Sequence, residues 1–331
     1  MRALPLVSDR APFSAPPRSV RISLTDRCDL ACIYCRPHKK DGYTETPLDL
    51  ASWKAMLRSL VDSGIRRVRI TGGEPLLFGQ LIHVVEFLAS LPLDDIALTT
   101  NGTRLQKLAA PLRAAGLQRL NISIDSLDRE RFHRMTRGGD LDQVQRGIDA
   151  AIAAGFSSIK LNTVVVREEN DHEIESITQW AWSKEMVPRF LEVMAVGEGA
   201  HLHDRVVTGR EMLERLSSLV VDEPLTGEVD RGPARYVRAR HNHALRVGFI
   251  TGTSDTYCSG CDRLRVSSEG VLRPCLATND GVAAAASAAR GDSLALSADL
   301  ARAWEMKPNG DTWKGCTEPT AREVSIRAIG G

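Results

Sequence analysis

"CDLACIYC", Cys28 to Cys35, places three cysteines within eight residues, directly after the apolar run "SVRISLT" at 19 to 25. A disulfide explains them poorly, because Cys28, Cys32 and Cys35 crowd into a turn or two of chain. The N-terminal stretch "MRALPLVSDRAPFSAPPRS" lacks the apolar core of a signal peptide, and no apolar run is long enough to span a bilayer. The chain therefore reads as cytoplasmic, where clustered cysteines bind metal or do redox chemistry more often than they staple a fold. Three thiolates leave one position of a tetrahedral centre open. His38 could complete a zinc site. A 4Fe-4S cluster held by three cysteines instead keeps one iron free for an outside ligand. Three intervening residues and then two is not a usual zinc-finger spacing, which favours the cluster.

Working outward from that stretch, five more β-branched runs follow: "RRVRITGG" (66 to 73), "IALTTNG" (96 to 102), "RLNISIDS" (119 to 126), "IKLNTVVV" (159 to 166) and "RFLEVMA" (189 to 195). Segments of helical period lie between them. Leu50, Trp53, Leu57, Leu60 and Val61 share one face ahead of Gly64, and the stretch ending at Gly155 repeats the pattern. Strand then helix, about six times over, predicts a parallel sheet with right-handed crossovers, as a barrel or an open doubly wound sheet. The loaded residues decide for the barrel. Cysteines follow the first run, "GGEP" (Gly72, Gly73, Glu74, Pro75) the second and "TTNG" the third. Ser123 and Asp125 end the fourth, Lys160 and Asn162 ride the fifth, and Met194 sits near the end of the sixth. A barrel builds its site from many strand ends, whereas an open sheet concentrates it at one switch point. The expected fold class is α/β: an incomplete TIM-type (β/α)6 barrel over 18–230, preceded by a flexible segment 1–17 and followed by a C-terminal domain over 231–331.

At 331 residues the chain can bury a sizeable core, and a formal net charge of +1 gives no global reason to bind nucleic acid or membrane. Any anion site must be a local cluster. A second cysteine set, Cys258, Cys261 and Cys275 in "CSGCDRLRVSSEGVLRPC", again offers three ligands and an open position. A zinc ribbon completed by Cys316, His241 or His243 is the competing reading. Otherwise "HLH" (201 to 203) and "HNH" (241 to 243) read as exposed loop histidines.

The C-x3-C-x2-C run with Tyr34 before its last cysteine, together with "GGEP", resembles the signature of the radical S-adenosylmethionine superfamily. Within it, "CDRLRVSSEGVLRPC", "RISLTDRCDLACIYC", "RRVRITGGEPLL", "LTTNG", "RLNISIDSLDRERF", "IKLNTVVVREEND" and the terminal "IGG" resemble the molybdenum cofactor biosynthesis protein A family of GTP 3',8-cyclases, from about Val20 to the C-terminus. The resemblance implies two 4Fe-4S clusters, with Cys28, Cys32 and Cys35 holding one and Cys258, Cys261 and Cys275 the other. It assigns Tyr34, Gly72, Gly73, Glu74, Ser123, Met194 and Arg189 to S-adenosylmethionine, and Arg21, Arg69, Thr100, Lys160, Arg263 and Arg265 to GTP. It gives Arg263, Arg265, Gly330 and Gly331 catalytic places. The implied reaction removes hydrogen from C3' of GTP and joins C3' to C8 of guanine, giving (8S)-3',8-cyclo-7,8-dihydroguanosine 5'-triphosphate. Implied partners are GTP or a related nucleotide, a flavodoxin- or ferredoxin-like electron donor, the downstream cyclic pyranopterin monophosphate synthase, and a second copy in a homodimer.

The sequence departs from the family pattern at Arg36, where methionine is common, at Arg67, where lysine is usual, at Phe78 and Gly79, where basic residues are usual, and near Asp311, where a histidine is expected. Two other readings stay open: a related radical enzyme with an auxiliary cluster acting on another nucleotide or a peptide, and a non-catalytic zinc-binding module. The zinc module leaves "GGEP" and the strand rhythm unexplained.

Overall fold

The computed structural model describes residues 17–36, 43–225, 232–255, 257–258 and 261–307. The six apolar runs become β1 (Ser19–Ser23), β2 (Arg67–Thr71), β3 (Asp95–Thr100), β4 (Arg119–Ser123), β5 (Ile159–Val165) and β6 (Val187–Glu192), paired in chain order and all parallel. The crossovers hold α1 (Leu50–Asp62), α2 (Leu81–Ala89), α3 (Leu105–Ala114), α4 (Arg129–Thr136), α5 (Leu141–Ala153) and α6 (Ile174–Ser183). Helix α1 begins where the Asp49 carboxylate accepts from Ser52 N–H at 2.8 Å. It stops before Gly64, whose φ of +104° suits glycine.

Period-two alternation sorts the strand residues. Val20 and Ile22, Val68 and Ile70, Ile96 and Leu98, Leu120 and Ile122, Ile159 and Leu161 pack into one apolar core with the helices. The opposite face of the barrel strands carries Arg21, Arg69, Asn121, Lys160 and Asn162, and on β6 Arg189. A barrel interior is ordinarily filled by layers of branched apolar side chains. This one is polar, so it is a lined site rather than a second core.

The remaining strands extend both edges. β7 (Arg235–Arg238) and β8 (Arg246–Ile250) form an antiparallel pair, and β8 joins β6 in parallel. β9 (Arg263–Val266) joins β1 in parallel and turns back into β10 (Val271–Arg273), which pairs with β11 (Val282–Ala283). The result is one eleven-stranded sheet, in the order β11-β10-β9-β1-β2-β3-β4-β5-β6-β8-β7. Among the described residues no pairing joins β7 to β11, so the barrel is open, as the sequence predicts. Following α7 (Gly209–Arg215), the last helices, α8 (Ala285–Arg290) and α9 (Ser293–Glu305), pack on α1. At the strand beginnings Arg67 pairs with Asp262 and Arg119 with Asp95. The arginine at 67 thus ties β2 to the start of β9.

Candidate active site

The first cysteine loop is built by close approach of backbones. Gly73 N–H donates to Thr25 C=O at 2.6 Å and Glu74 N–H to Arg27 C=O at 2.7 Å. A Cβ on Gly72 would lie 2.5 Å from the Thr25 oxygen, and one on Gly73 would lie 2.6 Å from the Asp26 oxygen. The two glycines of "GGEP" are therefore required by contact with the cysteine loop. On its other side, Ala31 N–H and Ile33 N–H donate to the carbonyls of Thr136 and Met135 at the end of α4. A tight turn, with Cys35 N–H donating to Cys32 C=O at 2.9 Å, sets the last two thiols.

Polar side chains then fix the loop to the strand ends. The buried Glu74 carboxylate accepts from Leu76 N–H, Thr100 Oγ1 and Asn101 N–H at 2.7 to 2.9 Å. Burial nevertheless pushes it up to about 7. Asn101 Nδ2 donates to Asp29 at 2.8 Å and lies 3.9 Å from Cys28 Sγ. Tyr34 Oη donates to Asp125 at 2.7 Å, and Val164 N–H donates to the other carboxylate oxygen at 3.0 Å. Arg36 is buried, donates to Tyr43 Oη at 2.9 Å and stacks on its ring at 4.9 Å. These groups surround a cavity of about 180 Å³ lined by Cys28, Cys32, Cys35, Tyr34, Gly72, Gly73, Glu74, Thr100, Ser123, Asp125 and Asn162, among others.

A second, smaller cavity of about 50 Å³ is lined by Cys258, Cys261, Cys275, Arg263, Arg265, Met194, Tyr257 and Lys307, among others. Met194, which the resemblance assigns to S-adenosylmethionine, lines this second cavity. Gly252 packs so closely on it that a Cβ there would lie 2.9 Å from Met194 Cγ. Glu192, at the end of β6, anchors the approach to Cys258. Its buried carboxylate accepts from the backbone N–H groups of Gly209, Thr253 and Ser254 and from Ser254 Oγ at 2.5 to 2.8 Å.

The basic residues form rows in register. Arg265, Arg21 and Arg69 are lateral neighbours across β9, β1 and β2. Burial first, and the neighbouring guanidinium groups second, hold Arg21 well below its ordinary range, Arg69 at about 9 and Arg265 at about 10. Across the interior, Arg189 donates to Asn162 at 2.9 Å and to Asn121 at 2.6 Å, and Lys160 Nζ donates to Tyr236 Oη at 3.4 Å.

Family models described as Radical SAM superfamily and as Molybdenum Cofactor Synthesis C match residues 22–181 and 186–313. The sequence is 42% identical over 273 residues to the GTP 3',8-cyclase of Marinobacter nauticus, covering 80% of each chain. It is 38% identical over 318 residues to that of Alkaliphilus metalliredigens, covering 94% of this chain and 97% of the other. The chain belongs to the GTP 3',8-cyclase family of radical SAM proteins. The fold is shared more widely: the crystal structure of Streptococcus suis SuiB bound to S-adenosylmethionine aligns with a TM-score of 0.62 at 15% identity, over 95% of this chain and 72% of that one.

The cofactors of a radical SAM GTP 3',8-cyclase are two 4Fe-4S clusters and S-adenosylmethionine, and the residues present fit them. Burial, then the Glu74 charge, pushes the Cys28 thiol up to about 12, and burial and Asp125 likewise raise Cys32. Half-buried thiols of this kind ionise when a metal centre supplies the compensating positive charge. Among the described residues, no three His, Cys, Asp or Glu are placed to hold a single metal ion. The four histidines offered for zinc or loop roles, His201, His203, His241 and His243, are exposed. Gly330, Gly331, Cys316, His38 and Asp311 lie outside the described residues.

Sequence reasoning missed Asn101, Glu192 and Lys307, and gave Asp125 no role beyond ending a strand. Position at a strand end was the one available signal for Asn101, Asp125 and Glu192. Lys307 had none, since it follows a helix near the far end of the chain.

Proposed function

We propose that this member of the family cyclises GTP to (8S)-3',8-cyclo-7,8-dihydroguanosine 5'-triphosphate for molybdenum cofactor biosynthesis. The observation that carries the reading is the row Arg265–Arg21–Arg69, with Arg265 buried and the other two half-buried, and with Arg263 two residues along β9 on the same face. Like charges this close repel, and burial strengthens the repulsion. A triphosphate offsets it with charge-assisted, often bidentate, hydrogen bonds.

In this reading Arg21, Arg69, Lys160, Arg263 and Arg265 bind the nucleotide inside the polar barrel. Thr100 shares the first cavity, and its hydroxyl orients Glu74. Cys28, Cys32 and Cys35 hold the first cluster, while Tyr34, Gly72, Gly73, Glu74 and Ser123 shape the S-adenosylmethionine pocket. Arg189, braced by two asparagines, and Met194 extend that lining toward the second cysteine set, Cys258, Cys261 and Cys275. When bound, the cofactors supply hydrogen abstraction at the first site and an open iron for the guanine base at the second. The chain's own contribution is to hold both reacting carbons of one nucleotide in fixed proximity and to exclude water. We read 18–230 as the barrel unit and 231–331 as the auxiliary unit, with Gly330 and Gly331 reaching the substrate. A cytoplasmic location, a flavodoxin- or ferredoxin-like donor, homodimerisation and the downstream synthase complete the proposal. No helix among the described residues is long and apolar enough to cross a membrane.

The test is anaerobic release of 5'-deoxyadenosine by reconstituted protein with dithionite and S-adenosylmethionine. GTP should stimulate it, and Arg69→Ala should raise the GTP concentration needed at least tenfold. Release indifferent to GTP would overturn the proposal.

A further inference from the structure

Lys307 lies at the edge of the second cysteine set and has no part in the reading above. It follows α9, and its backbone N–H closes that helix on Trp304 C=O at 3.1 Å. Its side chain turns into the small cavity shared with Cys258, Cys261 and Cys275. There Nζ donates to Arg263 C=O at 2.9 Å and to Pro274 C=O at 2.8 Å, with the Trp304 ring 5.1 Å away. These two carbonyls are not arbitrary. Arg263 stands two residues after Cys261, and Pro274 stands directly before Cys275. One ammonium group therefore bridges the two chain segments that must present their thiols to a common centre.

Its charge has a second consequence. Nζ shares the second cavity with the three thiols and Arg263, whereas the first cavity is lined by the carboxylates of Glu74 and Asp125. A centre held by three thiolates is anionic, and an added electron makes it more so. A fixed cation beside it favours the reduced form, since net charge and hydrogen bonding set cluster potentials.

We propose that Lys307 is a positioning residue for the second cluster, clipping the Cys261 and Cys275 segments together and raising that cluster's reduction potential through its charge. The proposal rests on the assignment of a cluster to Cys258, Cys261 and Cys275. Iron content checks that assignment separately: wild-type protein holding about four irons rather than about eight would sink the assignment itself, not the role of Lys307.

The experiment is an EPR-monitored redox titration of reconstituted full-length wild type, Lys307→Arg, Lys307→Gln and Lys307→Met, with iron counted in each. The first cluster is recognised by the change in its signal on adding S-adenosylmethionine, and it serves as the internal control. Gln keeps a donor for one carbonyl but loses the charge, so it separates the clip from the electrostatics. Gln and Met should lower the second cluster's reduction equilibrium constant about tenfold or more, ~59 mV for one electron, while Arg stays near wild type and the first cluster does not move. Selective loss of second-cluster iron in Met and Gln, with Arg loaded, also supports the proposal. Wild-type potentials in Gln and Met overturn it, and so does equal loss of iron from both sites, which marks a general folding role.

Discussion

Gly73→Ala tests how the "GGEP" segment works. The added methyl group would meet the Arg27 carbonyl oxygen and lie 2.6 Å from the Asp26 oxygen and 2.7 Å from the Arg27 carbonyl carbon. All three are backbone atoms, so no rotamer change relieves the clash. The strands must part, or the cysteine loop must lift. Lifting sacrifices the 2.6 Å bond from Gly73 and the 2.7 Å bond from Glu74, each worth about 1 kcal/mol net. Overpacking adds about 1–3 kcal/mol. The sum, about 3–5 kcal/mol, is a large share of the roughly 5–15 kcal/mol that holds a whole domain folded. It falls on one loop outside the sheet, so the loop should yield while the barrel stands. The variant should keep its far-ultraviolet circular dichroism, retain about four of about eight irons, and lose S-adenosylmethionine binding. Gly79→Ala is the matched control, since a Cβ there meets nothing within 4 Å, and it should load normally. Gly73→Ala protein with full iron and normal S-adenosylmethionine affinity would refute the reasoning.

Glu192→Gln places an amide donor among N–H donors that the carboxylate now accepts from, costing about 2–3 kcal/mol. It should lower the melting temperature and make second-cluster iron leave faster to a chelator than first-cluster iron; equal release from both would count against this anchor. Away from both clusters, Glu211 is held down to about 2, first by Arg167 and then by the Thr208 N–H. That lies below its ordinary 4.5, so the stabilisation is full above pH 4.5 and drains away as pH falls through about 2. The pair is over a third exposed, so with solvent screening Glu211→Gln should cost only about 1 kcal/mol at neutral pH. In urea unfolding of the apoprotein the gap from wild type should narrow toward pH 3, and a constant gap would contradict the linkage.

The six barrel strands were legible through β-branched alternation, and α1 and α5 through an apolar face and a glycine stop; α2 and α6 have neither an aspartate cap nor a glycine stop. The alternation holds from Val20 and Ile22 on β1 to Phe190 on β6. The strand "RLRV" at 263–266 obeys alternation too, but nothing local says that it pairs with β1, some 240 residues earlier in the chain. That pairing is what aligns Arg265 with Arg21 and Arg69, so the cation row was legible as residues and not as a row. The cysteines were conspicuous through their spacing. Their anchors, Glu192, Asn101 and Lys307, act through contacts that form only after the sheet is assembled. Met194 follows β6 and packs on Gly252, which follows β8, so this contact too forms only once β6 and β8 pair.

The most direct measurement is mass spectrometry of the nucleotide after anaerobic turnover of the two-cluster protein with GTP, S-adenosylmethionine and dithionite. The account predicts a new species isomeric with GTP, at unchanged mass, formed in step with 5'-deoxyadenosine and lost when Arg21 or Arg69 is replaced by alanine. Production of 5'-deoxyadenosine with GTP recovered unaltered would contradict it, leaving the radical chemistry in place on a different substrate.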